Sequence, residues 1–151
     1  MPDNCVFCDI AAGRAPATFV LRWPQVLAIV PLDPVTPGHV LVLPYEHVPN
    51  AGAHPLISAI TMAAAAELVA DLPSANILTS KGRPATQTVD HLHLHVVPRQ
   101  EGDSLLLPWT PQYAARAAAQ GHGHFVTSVS GSSGGGDLAR GSQGSGQPAS
   151  T

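Results

Sequence analysis

Charge is scarce in this chain. Only 11% of its 151 residues are Asp, Glu, Lys or Arg, and seven Lys+Arg against ten Asp+Glu leave a formal net charge of -3. So few cations cannot build the basic face that grips a nucleic-acid polymer, so a bound phosphate has to be met by neutral dipoles and imidazoles. Cysteine is scarcer still. Cys5 and Cys8 stand too close together to staple distant segments, which excludes the disulfide lattice of a small secreted domain. No run approaches the ~20 apolar residues of a membrane span, and the opening MPDNCVFCDI has acid and Asn where a secretory signal needs a basic patch and an apolar stretch. A soluble, reduced, cytoplasmic protein without membrane or nucleic-acid partners is the expectation.

What the chain has is apolar material, 44% of its residues, enough for one core of ordinary domain size. The composition changes near residue 121. The last 31 residues hold nine Gly and seven Ser, too little apolar surface to offset the entropy of ordering them. Residues 1–120 are therefore read as the domain and 121–151 as a disordered Gly/Ser-rich tail. Asn4 can cap a short helix of about three turns over CVFCDIAA, ended by Gly13, with Cys5 and Cys8 on one face. TFVLRW and QVLAIV read as a hairpin and GHVLVLP as a third strand. Pro55 opens the main helix, which runs to Pro73 with Ile57, Ile60, Ala64, Leu68 and Leu72 on one face. ANILTS and HLHLHVV add two strands around the loop KGRPATQTVD. Without strict alternation of strand and helix, the fold class is α+β: a mostly antiparallel sheet of about five strands, one main helix and a short N-terminal helix.

His91, His93 and His95 alternate with Leu92 and Leu94. On a strand this puts three imidazoles on one face at ~6.6 Å intervals and the leucines in the core. Three uses are open: a solvated polar face, a zinc site built on a His-x-His pair, or attack on phosphorus. Neutral imidazole is a good nucleophile near pH 7, and its neighbours can hydrogen-bond phosphoryl oxygens and protonate a leaving group.

HLHLHVVPR resembles the signature of the histidine triad (HIT) family. CVFCDIAAGRAPA is similar to that family's opening, and PVTPGHVLVLPYEH to its central block. The resemblance spans roughly residues 4 to 103. It implies a small α+β protein, commonly a homodimer, that binds a nucleoside phosphate. Its expected action is hydrolysis or transfer of a nucleotidyl group from nucleoside phosphoramidates or (di)nucleoside polyphosphates through a covalent nucleotidyl-histidine. The alternative is a nucleotide-binding or scaffold protein of the same fold without turnover. By the same resemblance His93 is the nucleophile, His95 contacts phosphate and helps protonate the leaving group, and His91 orients His93. Gln87 and Thr88 fall where the family hydrogen-bonds phosphate, Phe7 and Ile29 where it walls the base, and Ser80 where an Asn touches phosphate or ribose. Pro31 replaces the Asp that takes the ribose hydroxyls, with Asp33 the nearest acid, and Thr86 replaces a Gly. Such departures suggest a variant subgroup.

Some family members hold structural zinc with a cysteine pair, a histidine matching His47, and the first triad histidine. The resemblance thus implies a site of Cys5, Cys8, His47 and His91, or else a metal-free His47–His91 hydrogen bond with both thiols reduced. His39 and His54 are read as structural or solvated, and His122 and His124 belong to the tail.

Overall fold

A computed structural model describes residues 4–107 and 110–119. Tail residues 121–151 lie outside them, so the reading made of that segment has no structural counterpart. Contacts divide the chain between Leu105 and Leu106. The second unit holds helix α3, Thr110–Ala119.

The first unit is built on one sheet. Strands β1 (Phe19–Arg22), β2 (Val26–Ile29), β3 (Val40–Pro44), β4 (Ala75–Leu78) and β5 (Leu94–Pro98) lie in the order β1-β2-β3-β5-β4, with every neighbouring pair antiparallel. Every residue of β2 and β3 is buried. Both of their faces are covered, and their sequences, VLAI and VLVLP, are accordingly continuous apolar runs rather than alternating ones. Helix α2 (Pro55–Val69) covers one face, where Val26, Ala28, Val42, Leu92, Leu94 and Val96 meet Ile57, Ala64 and Ala65. Helix α1 (Val6–Ala11) covers the other, where Cys5, Phe7, Cys8 and Ile10 meet Leu27, Ile29, Leu41 and Leu43. The α+β class, the antiparallel five-stranded sheet and the two helices on it are as expected.

Several boundaries differ for local reasons. Helix α1 has six residues, not three turns, and its N-cap is Cys5 in extended conformation with no side-chain cap, so Asn4 does not cap it. Helix α2 ends at Val69, and Leu72 instead closes a turn by donating its N–H to the Val69 carbonyl. His54, read as structural or solvated, accepts the Ile57 N–H at 3.3 Å and caps α2. Strand β5 begins only at Leu94: the Leu92 N–H is drawn to the Val48 carbonyl, so the chain enters the sheet after His93. The alternation nonetheless persists through this entry, with Leu92 and Leu94 in the α2 core.

Two glycines shape the loops that carry the site. Gly38 precedes β3 with φ 81°, where a side chain would be strained, and a Cβ there would crowd Pro98 at 3.1 Å. Gly82, also at φ 81°, opens the 3-10 turn Arg83–Ala85, which Thr86 closes in the left-handed region at φ 67°, ψ 19°. The far end of β5 is tied down by Arg99. Its guanidinium donates to both Asp103 carboxylate oxygens, to Asn76 Oδ1 and to the Leu105 carbonyl, and the Arg99 hydrogen bonds hold the Asp103 carboxyl well below the usual carboxylate range.

Candidate active site and metal cluster

Five imidazoles fall into two groups, His47 with His91 and His93 with His95 and His39, linked by the Phe7 ring and by the His91 carbonyl. His47 meets His91 with ring centroids 5.1 Å apart, His93 meets His95 at 5.2 Å, and His95 stacks on His39 at 5.2 Å. Backbone groups decide which nitrogen of each ring carries its proton. His91 is fully buried and its Nε2–H donates to the Pro44 carbonyl at 3.0 Å, which leaves Nδ1 as a lone pair. The His93 Nδ1–H donates to the His91 carbonyl at 2.7 Å, which leaves the lone pair at Nε2. His39 Nδ1 accepts the Val35 N–H at 3.1 Å, so its Nε2–H donates to His95 Nδ1 at 3.0 Å. The free Nε2 of neutral His95 therefore carries a proton.

Burial pushes His95 down to about 4, with positive charge on His93 or His39 adding to the effect. Burial lowers His39 as well and takes His91 to about 4 against the opposing pull of the Pro44 carbonyl. The solvated-face use of the triad is thus overturned, since His91 is 0% and His93 6% exposed. His39, read as structural or solvated, is buried and joined to His95. The signal in sequence was the PGH block, but its partner is 56 positions away. Thr79 was also missed: at the end of β4 its hydroxyl donates to the His93 carbonyl at 2.9 Å.

The other expected site residues divide. Phe7 is buried with its ring edge-on to His91 at 5.8 Å and to His93 at 5.2 Å, and Ile29 packs in the same cluster. Gln87 is buried and departs from expectation. Its amide donates to the Pro49 and Val89 carbonyls at 2.6 and 3.0 Å and its Oε1 accepts the Gly82 N–H at 2.8 Å, so the side chain knits the loop and has no N–H left for phosphate. Thr88 is exposed on the rim of an open cleft of about 480 Å³ shared with Asn4, Cys5, His47 and Asp90. Ser80 is half-buried just after β4, and Asp33 is exposed between β2 and β3.

Cys5, Cys8, His47 and His91 do come together, with one ligand atom from each within 4.8 Å of all the others. Cys5 Sγ and Cys8 Sγ lie 3.4 and 3.5 Å from His91 Nδ1, and Cys8 Sγ lies 3.3 Å from His47 Nδ1. A tetrahedral zinc with bonds of about 2.3 Å to sulfur and 2.0 Å to nitrogen requires sulfur–nitrogen separations of about 3.5 Å. Distance, donor types and the bare lone pair of His91 all fit a metal. Burial, reinforced by Cys5, pushes the Cys8 thiol up to about 11, and only a nearby cation makes the thiolate favourable in such a place.

An open antiparallel sheet entered by a His-x-His-x-His segment at β5 is the arrangement of a histidine triad protein. The chain belongs to the HIT domain family, whose model matches residues 12–102. It is similar to an uncharacterized HIT-like protein of Mycobacterium tuberculosis, 41% identical over 108 residues that cover 67% of this chain and 75% of that one. It also resembles the adenosine 5'-monophosphoramidase of Schizosaccharomyces pombe, 31% identical over 119 residues that cover 73% and 85%. Among solved structures, a zinc-bound histidine triad family protein from Mycobacterium smegmatis superposes with a TM-score of 0.60 at 38% identity, covering 69% of this chain and 81% of that chain. No helix among the described residues is long and apolar enough to cross a membrane.

Proposed function

We propose that the protein is a nucleotidyl hydrolase or transferase acting on nucleoside phosphoramidates or (di)nucleoside polyphosphates. The observation that carries this reading is the pair of complementary tautomers: a bare Nε2 on His93 beside an Nε2–H on His95. In the first step His93 Nε2 attacks the α-phosphorus, a P–N bond forms, and the bond from phosphorus to the leaving amine or phosphate breaks. The departing group takes its proton from His95 Nε2; binding of an anionic phosphate charges that ring beforehand, His39 Nε2 passing its proton to His95 Nδ1 while His39 Nδ1 takes one from solvent in place of the Val35 N–H bond. In the second step water, or another acceptor, gives its proton to His95 and displaces His93 from phosphorus. The His91 carbonyl holds the attacking ring in one orientation throughout. Phe7 and Ile29 wall the base, Thr88 and Ser80 supply hydroxyls near phosphate, and Asp33 is the acid nearest the ribose position. Gln87 serves by rigidifying the loop, so the phosphate meets backbone N–H groups and hydroxyls.

Zinc is the metal proposed for the Cys5–Cys8–His47–His91 cluster, where it balances the charge of two thiolates and supplies a fold-holding link, with His93 and His95 left free for phosphate. A homodimer in a reducing cytoplasm completes the proposal. It is supported by β4 being one of the sheet's two outer strands, with Leu78 exposed, and by both thiols being free. Intact-mass analysis after quenching a reaction with adenosine 5'-phosphoramidate or diadenosine polyphosphate tests the function. A nucleotidyl adduct that disappears in His93→Ala is expected. Bound nucleotide with neither adduct nor turnover would replace the enzyme by a binding protein.

A further inference from the structure

The metal cluster and the nucleophile share a residue and a helix. His91 is held at three points. Its Nδ1 faces both sulfurs, its Nε2–H is on Pro44, and its own carbonyl receives the His93 proton at 2.7 Å. Any turn of residue 91 that follows loss of a partner at Nδ1 moves the acceptor that fixes the attacking ring. Helix α1 makes a second connection. Its six residues are too few to persist alone, and no side chain caps its start. Its buried anchors on the sheet are Cys5, Phe7, Cys8 and Ile10, two of which belong to the cluster. Between those two lies Phe7, whose ring edge meets the His93 ring.

We propose that the Cys5–Cys8–His47–His91 cluster, with a metal bound, positions His93 through the His91 carbonyl and the Phe7 ring, beyond stapling the N-terminus to the fold. This rests on reading His93 as the reactive ring. Such coupling is reciprocal: a ligand that needs His93 in place must tighten the metal by the same factor by which the metal tightens it.

The test uses the full chain with zinc as the metal and AMP as the phosphate probe. Long-range proton–nitrogen spectra of the imidazoles are recorded at one fixed neutral pH for zinc-loaded and chelator-stripped protein. With zinc, His93 is expected as a single tautomer with a slowly exchanging Nδ1 proton. Without it, exchange of that proton accelerates at least about tenfold, as for a bond whose local opening is no longer suppressed. Chelator competition should show zinc bound about fivefold or more tighter in saturating AMP, the low end of ordinary coupling. Phe7→Leu should keep one zinc per chain while that factor falls below about twofold. Cys8→Ser, if it folds, should reproduce the stripped spectrum. Stoichiometric zinc whose removal leaves the His93 signals unchanged overturns the positioning role, and so does a protein that takes up no zinc. AMP that fails to bind counts against the nucleotide reading alone, because the spectra still decide the positioning.

Discussion

Binding of a phosphate should bring a proton with it. Free His95 is held neutral by burial and by its histidine neighbours at about 4. An anionic phosphoryl oxygen about 4 Å from its Nε2 contributes ~4 kcal/mol in favour of the charged ring at an effective dielectric constant of about 20. At 1.36 kcal/mol per pH unit this carries His95 to roughly 7 in the complex. The bound state then holds more protons than the free state between about 4 and roughly 7, so affinity for the anion rises as pH falls through that window. Near pH ~5.5 about 0.9 proton should be taken up, near pH 7 about half, and above pH ~8.5 almost none. The assay is calorimetric titration in buffers of differing ionisation enthalpy. Its ligand is a nucleoside methyl phosphodiester, whose single charge does not titrate in this range. His95→Asn should bind with the uptake abolished. An uptake below about 0.2 proton near pH ~5.5 would refute the charging of His95 by substrate, as would a His95→Asn variant that retains the full uptake.

Three further outcomes are expected. His93→Ala should lose several orders of magnitude in kcat while nucleotide affinity stays within a few-fold, which steady-state kinetics and equilibrium binding together check. His39→Phe removes the donor that keeps the His95 proton on Nε2. It should lower turnover about 10- to 100-fold for amines of high basicity and little for good leaving groups, a split seen across a leaving-group series. Thr86 is a β-branched residue in the left-handed region, a placement that costs about 1–2 kcal/mol, part of which a glycine returns as unfolded-chain entropy. Thr86→Gly should therefore raise stability by about 0.5 kcal/mol or more, and a lower denaturant midpoint would show that the threonine makes a compensating contact.

Legibility in the sequence followed the range of the interaction. The period of HLHLH assigned the leucines to the core and the imidazoles to the opposite side without any knowledge of the sheet, because pleating is local. The Cys-x-x-Cys pair was likewise visible as one face of a helix. What escaped was decided by distant partners. Asn4 has the chemistry of a cap, but Cys5, in extended conformation and within reach of His91, takes the cap position. The His39–His95 bond exists because β3 and β5 pair with Leu41 opposite His95, a register no local pattern encodes. Gln87 was expected at phosphate from its place in the family resemblance. Its true partners, Gly82, Pro49 and Val89, emerge only when the loop folds against the chain after β3.

The cysteine–histidine contacts also set an order of events in folding. Cys5 and His91 are 86 positions apart and Cys8 and His47 are 39 apart. Closing a flexible loop of the longer span costs about 4 kcal/mol of chain entropy before any bond is gained, by the logarithmic dependence on length. Once β3 and β5 pair, Pro44 and His91 are already together, and docking the N-terminus on them closes a shorter remaining loop. During synthesis the two thiols leave the ribosome before either of their imidazoles. Through that interval they are exposed to oxidants and stray metal ions, so refolding yield should depend on reductant far more than a protein with two buried cysteines ordinarily would.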